Sequence, residues 1–114
     1  MSKEKERREL FPGALEMMIL RTLKRQPMHG YALAQQIRLT SEELLQIEEG
    51  SLYPALQRLL KDGWVTAAWE TSATNRRVRV YTVTPAGIQQ LEQELRRFRI
   101  MLKGIQLVLA PTEF

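Results

Sequence analysis

The chain has no cysteine and a single histidine among its 114 residues. Without cysteine there is no disulfide, no thiolate metal ligand and no cysteine nucleophile, and the composition fits a reducing compartment. A glycine-rich phosphate loop is missing, and the acids between Glu42 and Glu49 have the pattern of a solvated surface. We therefore expect no catalytic centre, metal or cofactor, and an enzyme is the class of protein least supported.

Long hydrophobic runs are missing as well. The apolar stretches are far shorter than the ~20 residues of a membrane-spanning helix. The segment from Met1 to Leu10 alternates charges where a signal peptide would be apolar. We therefore expect a cytoplasmic protein without a membrane partner. Because 114 residues suffice for one modest core but not two, we also expect a single domain.

The net charge of +4 is small but unevenly distributed. Residues 1–49 carry eight Lys and Arg against eight Asp and Glu, residues 50–87 carry five against two, and residues 88–114 carry four against three. Most of the excess therefore lies in residues 50–87. A local excess of this kind suits contacts to nucleic-acid phosphates, although a solvated basic surface would have the same composition.

Two helical patterns occupy the first half of the chain. The first ends at Gln26-Pro27, and its core-facing positions are Leu15, Met18, Ile19 and Leu23. A shorter helix begins at His29-Gly30, where the histidine is expected to act as a cap or turn residue. Its inward positions are Tyr31, Ala34 and Ile37. Residues 40–49 are expected to form a short bridge to a third helix.

The third helix is predicted to begin with Ser51 as its N-cap, which would place Pro54 in a first turn that tolerates proline. Gly63 is expected to end this helix, because glycine readily takes the left-handed backbone conformation found after a helix C-terminus. One face carries Leu52, Leu56, Leu59 and Leu60, and the other carries Ser51, Pro54, Ala55 and Arg58. Small side chains permit close approach to a DNA groove, and a helix in the major groove contacts bases from its N-terminal residues. Tyr53 fits either that role or the core.

A hairpin follows this helix. Residues 65–69 and 78–83 have strand patterns, and Ser72 to Asn75 form the connecting turn. The arginines at and beyond the turn are Arg76, Arg77 and Arg79. Guanidinium groups on a narrow hairpin can reach phosphates or enter a narrow minor groove. The order helix, strand, basic turn, strand, helix indicates a winged helix-turn-helix, in which the hairpin of residues 65–83 is the wing.

The last helix is predicted to start with Thr84 as N-cap and Pro85 as its first residue, with no further proline before Pro111. Its apolar residues follow a heptad seam made of Ile88, Leu91, Leu95, Phe98, Leu102, Ile105 and Leu109. Whether the helix continues through Gly104 is left open. A helix this long needs apolar cover, which a second copy supplies most simply, while packing back onto the first helix would cover part of it.

Several of these segments, taken together, resemble the PadR family of bacterial transcription regulators. The matching segments are Gly30-Tyr31, Gly50 to Leu56 with Leu59, Asp62-Gly63, the arginine-rich hairpin ending in Tyr81, and Thr84-Pro85-Ala86-Gly87. The resemblance covers roughly Leu15 to Leu95. It implies a mainly α fold with a small β-hairpin, in which residues 1–11 form a lead, 12–84 a winged helix-turn-helix domain, and 85–114 a dimerisation helix and tail.

The resemblance also implies a homodimeric DNA-binding regulator, often a repressor, that acts on a palindromic operator in double-stranded DNA. We expect DNA contacts from Tyr31, Ser51, Tyr53, Pro54, Arg58, Asn75, Arg76, Arg77 and Arg79. We expect the dimer interface to contain Leu15 together with the seam residues Ile88, Leu91, Leu95, Phe98, Leu102, Ile105 and Leu109. The family's effector response usually depends on an extended helical C-terminal region, whereas this chain has a single helix there.

Two other functions stay open at this point. The chain could act as a small-molecule sensor, with Trp64, Trp69 and Phe98 lining an aromatic-binding pocket between subunits, although packing of both tryptophans in wing and core is the simpler interpretation. It could instead be a winged-helix module that binds proteins and never DNA, because a fold alone does not establish function.

Overall fold

The computed structural model describes residues 13–112, which form four helices and three strands. The elements in chain order are α1 (Ala14–Arg25), β1 (Met28–His29), α2 (Gly30–Thr40), α3 (Glu49–Lys61), β2 (Val65–Thr71), β3 (Arg77–Val83) and α4 (Pro85–Leu109). The strands form one antiparallel sheet in the order β1-β3-β2. The expected mainly α fold with a small hairpin is confirmed. The lead at residues 1–11 lies outside the described residues.

The core lies between the three short helices, the wing-side sheet and the start of α4. Its fully buried members include Ile19 of α1, Leu33 of α2, Leu56 of α3 and Leu91 of α4. Each of these elements is amphipathic, so removal of its apolar face from water stabilises the packed arrangement at about 25 cal/mol per Å². No polar or charged side chain is buried in the part of the chain that the structure describes.

Helix α2 begins as expected but presents a different face. His29 is its N-cap, and its Nδ1 accepts a hydrogen bond from the Ala32 amide at 3.3 Å, which confirms the cap role. Tyr31 does not point inward: 62% of its surface is exposed, and Leu33 fills the core instead. The other two predicted inward positions are confirmed, since Ile37 is buried and Ala34 packs against the core. Only Tyr31 was misplaced, because a tyrosine at the first turn satisfies the apolar pattern as well as a leucine does.

Helix α3 starts earlier than predicted. Its N-cap is Glu48, and the amides of Ser51 and Leu52 both donate to the Glu48 carbonyl at 2.9 Å. Ser51 is therefore inside the helix, and Pro54 is an internal proline that removes one backbone hydrogen bond. Ala55, expected on the outer face, is fully buried. Its methyl group fits where the helix packs closely on its neighbours.

The C-terminus of α3 follows the predicted stop. Gly63 has φ 76, its amide donates to the Leu60 carbonyl at 3.1 Å, and the Trp64 amide donates to the Leu59 carbonyl at 3.0 Å. This pair of hydrogen bonds is a Schellman motif, which satisfies carbonyls that the helix end leaves free. The chain then turns directly into β2.

The sheet has one strand that the sequence did not predict. β1 pairs with β3 through Met28 opposite Tyr81 and His29 opposite Val80. Two residues are too few to show an alternating pattern, so only the long-range pairing reveals the strand. Its effect is to hold the start of α2 against the middle of the wing.

Helix α4 is continuous from Pro85 to Leu109, through Gly104. Its predicted N-cap is confirmed, because the Thr84 hydroxyl accepts from the Gly87 amide at 3.0 Å and donates to the Gly63 carbonyl at 2.8 Å. Gly87 is required here by contact, since a Cβ on it would overlap the Trp64 carbonyl oxygen. The close approach ties the start of α4 to the start of β2.

Candidate nucleic-acid interface

An open cleft of about 910 Å³ separates the wing from the start of α2 and the exposed side of Tyr53. Its walls are His29, Gly30, Tyr31 and Tyr53 on the helical side and Trp69, Ser72, Ala73, Thr74, Arg76, Arg77, Val78, Arg79 and Tyr81 on the wing side. Among residues 13–112, three arginines and no acidic residue line it. The cleft is therefore a positively charged channel with aromatic walls.

The wing that forms one wall is a regular hairpin with an ordered turn. Ser72 and Arg76 close it, with the Ser72 amide donating to the Arg76 carbonyl at 2.7 Å. Asn75 takes the left-handed conformation at φ 64, which asparagine tolerates better than most residues. The Ser72 hydroxyl also accepts from the Arg76 amide at 3.2 Å. These contacts fix the direction in which the arginine-bearing strand leaves the turn.

One face of the hairpin alternates cations and rings. Trp69 lies opposite Arg79 in the β2–β3 register, and Ala67 lies opposite Tyr81. The Arg77 guanidinium carbon is 5.0 Å from the Trp69 ring centre, and that of Arg79 is 5.9 Å from the Tyr81 ring centre. Both distances are within the range of cation–π attraction. Side chains two residues apart on a strand share a face, which explains how the two pairs lie side by side.

The opposite wall presents two tyrosines with different environments. Tyr53 extends from α3 across Gly30, where an added Cβ would lie 2.6 Å from the Tyr53 hydroxyl oxygen. Burial raises the pKa of Tyr53, and the Glu49 carboxylate and Tyr81 raise it further. The phenol is therefore a protonated hydrogen-bond donor at neutral pH. The Tyr31 hydroxyl already accepts from Gln35 Nε2 at 2.8 Å.

The other residues of α3 that were predicted to contact DNA lie outside the cleft. Ser51 and Pro54 are exposed on the outer surface of the helix but do not line the cleft. Arg58 is turned toward α1, where its Nε and NH2 atoms lie 2.8 and 2.6 Å from the Glu16 carboxylate. Its charge is therefore compensated within the chain. Asn75 is exposed at the wing tip, beside the cleft.

The residues expected at a dimer interface fall into two groups. Leu15 and Leu91 are buried in the chain's own core, and Ile88, Leu95 and Phe98 are half-buried, the last two against that core. The remaining seam residues, Leu102, Ile105 and Leu109, are 38, 36 and 75% exposed. The first half of α4 thus packs on α1, as the intramolecular alternative anticipated, while the second half is uncovered by this chain.

The three residues considered for an aromatic-binding pocket do not meet within one chain. Trp69 lines the cleft at the wing, Trp64 lines a small cavity with Met17 and Gln90, and Phe98 lines another beside Met101. Each of these three cavities, lined by residues within 13–112, contains one of the three aromatic residues. The structure instead makes Trp69 a partner of Arg77, a pairing that was not predicted from the sequence. The hairpin register could have revealed this pair: Trp69 lies opposite Arg79, and Arg77, two residues earlier on the same strand, shares the face of Arg79.

None of the helices within residues 13–112 is both long and apolar enough to cross a membrane.

Comparison with known proteins gives a consistent result. The model of the transcriptional regulator PadR-like family matches residues 19–93. A transcriptional regulator of Mycobacterium tuberculosis is 33% identical over 98 residues, which cover 86% of this chain and 88% of that protein. A transcriptional regulator from Clostridium thermocellum superposes with a TM-score of 0.79 at 30% identity, covering 86% of this chain and 95% of the other. A PadR family transcription regulator from Clostridium difficile gives a TM-score of 0.74 at 25% identity, with coverage of 86% and 100%.

Proposed function

The chain belongs to the PadR-like family of transcriptional regulators, and from that membership we propose that it binds double-stranded DNA as a homodimer and represses transcription. The family and its winged-helix fold define a class of regulators that are not in general enzymes. The DNA contact, the dimer and the direction of regulation are our proposals. The DNA contact and the dimer are further supported by the surface of the described residues, whereas repression rests on the family membership alone.

The observation that carries the proposal is the charge of the cleft. Arg76, Arg77 and Arg79 line it without an acidic neighbour among its walls, although Asp and Glu are common elsewhere in the chain. Each phosphate that a guanidinium neutralises releases condensed counterions, which supplies much of the affinity for DNA. A phosphodiester backbone passing between the wing and α2 would satisfy this charge.

The outer surface of α3 supplies the second contact. Ser51 and Pro54 are exposed there, near the N-terminal end of the helix, and Tyr53 projects beside them toward the cleft. Small residues let a helix approach base edges closely, and N-terminal residues of a recognition helix contact bases in the major groove. We propose that α3 enters the major groove while the wing contacts the adjacent backbone or minor groove.

The second half of α4 supports the homodimer. From Ile100 to Leu109 only Lys103 and Gln106 are strongly polar, and the apolar side chains in this stretch are exposed in the single chain. A contiguous apolar surface of this kind marks an interaction site, and two-fold homodimers are the commonest soluble oligomers. Two copies would present two α3 helices to one duplex, so we propose a palindromic operator with half-sites about 34–36 Å apart.

The experiment that tests DNA binding measures the affinity of the full chain for mixed genomic duplex at several salt concentrations, by fluorescence anisotropy. We expect binding at low ionic strength that weakens steeply as salt rises, with the logarithm of the affinity linear in the logarithm of the salt concentration. Binding that does not depend on salt, or no binding in dilute buffer, would contradict the proposal and favour a protein-interaction module.

The direction of regulation needs a separate test. A genomic footprint of the purified protein identifies the operator, and transcription in vitro from that promoter then measures the effect of binding. We expect transcript yield to fall as protein saturates the site. A rise in yield would leave the DNA-binding proposal intact and make the chain an activator.

A further inference from the structure

Five arginines of the described residues are held by a side-chain partner, in two different ways. Arg38, Arg58 and Arg97 form ion pairs with Glu43, Glu16 and Glu94 at N–O distances of 3.3, 2.6 and 3.4 Å. Arg77 and Arg79 form no ion pair within residues 13–112 and instead lie over the rings of Trp69 and Tyr81. Both ring-held arginines line the cleft, and none of the acid-paired ones does.

The difference has a physical consequence for binding an anion. A carboxylate that orders a guanidinium also occupies its N–H donors and cancels its charge. An aromatic ring attracts the same group through the face of the guanidinium plane, so the donors at its edge and the full positive charge are left for another partner. The ring also reduces the side-chain entropy that would be lost when a phosphate binds.

We infer that Trp69 is a positioning residue of the wing, whose ring holds the Arg77 guanidinium in the cleft ready to bind a DNA phosphate. Trp69 is 59% exposed, so the core does not account for it. It faces the same side of the hairpin as Arg77 and Arg79 and lines the same cleft. The role rests on the proposed function, because the anion proposed to bind Arg77 is a phosphate of the DNA backbone.

The test is a double-mutant cycle on duplex affinity, measured with the full-length chain by fluorescence anisotropy over a range of salt. The variants are Trp69→Leu, Arg77→Ala and the double substitution, with Trp69→Tyr as the matched control that keeps a ring. Trp69→Thr, which suits a strand, serves as a second ring deletion if the leucine variant misfolds. Circular dichroism of each variant establishes that the fold is retained.

We expect ring deletion to weaken binding about two- to fivefold, the range of a cation–π contact at an exposed site, and Trp69→Tyr to retain most of the affinity. In the Arg77→Ala background the ring deletion should have no further effect, because its only role is to position that arginine. Arg77→Ala should lower the slope of log affinity against log salt by about 0.9, whereas Trp69→Leu leaves the slope unchanged because the arginine still neutralises its phosphate.

Three results would overturn the positioning role alone: wild-type affinity in the ring-deleted chain, equal losses from ring deletion with and without Arg77, or a salt slope that falls with Trp69→Leu. In each of these cases the wild-type chain still binds DNA. Absence of salt-dependent binding by the wild-type chain is a different result, and it would remove the proposed function together with the positioning role.

Discussion

Tyr53 offers the cleft an uncharged hydrogen-bond donor. Its hydroxyl has no hydrogen-bond partner among residues 13–112, and 40% of the residue is exposed, so the donor is accessible. Tyr31, on the same wall, accepts a hydrogen bond from Gln35, which leaves its own O–H proton available to donate as well. Tyr53, whose oxygen has no other partner within the described residues, is the simpler of the two hydroxyls to test.

We expect Tyr53→Phe to weaken duplex binding by about 1 kcal/mol, roughly fivefold, the usual net value of one neutral hydrogen bond. Because the phenol is uncharged and neutralises no phosphate, the slope of log affinity against log salt should not change. Isothermal titration with the operator duplex at several salt concentrations measures both quantities. Wild-type affinity in Tyr53→Phe would show that the Tyr53 hydroxyl has no role in binding.

The raised pKa of Tyr53 gives this contact a defined pH range. Burial, Glu49 and Tyr81 shift the pKa above the ordinary value of 10.0, so the phenol keeps its proton throughout neutral and mildly alkaline pH. The Tyr53 contribution is present below the shifted pKa and is lost as pH rises through it. The affinity ratio of wild type to Tyr53→Phe should thus be constant from about pH 7 to 9, and a ratio that falls within that range would contradict the assignment.

Gly87 is the glycine at which an added Cβ would meet the closest contact. A Cβ there would overlap the Trp64 carbonyl oxygen and press on Val83. We expect Gly87→Ala to lower the free energy of unfolding by about 1–3 kcal/mol, because backbone must move to relieve the overlap. Urea denaturation measures the change. Gly50→Ala, also in a helix but with nothing within 4 Å of the new methyl group, should leave stability unchanged or slightly raised.

At the scale of elements, local signals were predictable and long-range ones were not. The Thr84 cap with Pro85 and the Gly63 stop depend on neighbouring residues only, so the sequence located the start of α4 and the end of α3. The N-cap of α3 was predicted at Ser51, three residues after the observed cap Glu48, because serine is a preferred cap residue and glutamate is not. Residue preference alone does not show which residue takes the extended cap conformation.

Contacts between distant elements account for the remaining differences. Arg58 pairs with Glu16, 42 residues earlier, and β1 pairs with β3 across more than 50 residues, as in Met28 opposite Tyr81. Periodicity along one element contains no information on such partners. The basic hairpin could be predicted as an element. Which of its side chains line the cleft depends on the register between its strands, and local sequence does not determine that register.

The wing as an element offers a further prediction. Replacing Arg76 and Arg77 by Ala together should weaken DNA binding and lower the salt slope by roughly 1 to 2, about 0.9 for each phosphate that is no longer neutralised. The fold should be retained, because both side chains are exposed at the hairpin. Arg97→Ala, at an exposed arginine of α4 that is paired with Glu94, is the control and should leave affinity nearly unchanged. Unchanged affinity in the double variant would exclude the wing from binding.

At the scale of the whole molecule, we propose that the uncovered half of α4 forms the dimer interface. Leu95 packs on the chain's own core, so a charge there would damage the fold and would not test the dimer alone. Ile105, which is 36% exposed on the free half of the helix, is the better position. Ile105→Glu should shift sedimentation from dimer to monomer, because a desolvated carboxylate at the seam is costly. Gln106→Glu, one position along, is the control and should remain dimeric; a dimer that persists in the Ile105 variant would place the interface elsewhere.

We propose above all that two chains bind one duplex through matched basic surfaces. Sedimentation of the chain with a footprinted operator duplex, at low and at physiological salt, is the decisive test. We expect a dimer without DNA, two chains per duplex at low salt, and marked dissociation of the complex as salt is raised. A monomer that leaves the duplex unbound in dilute buffer would contradict it.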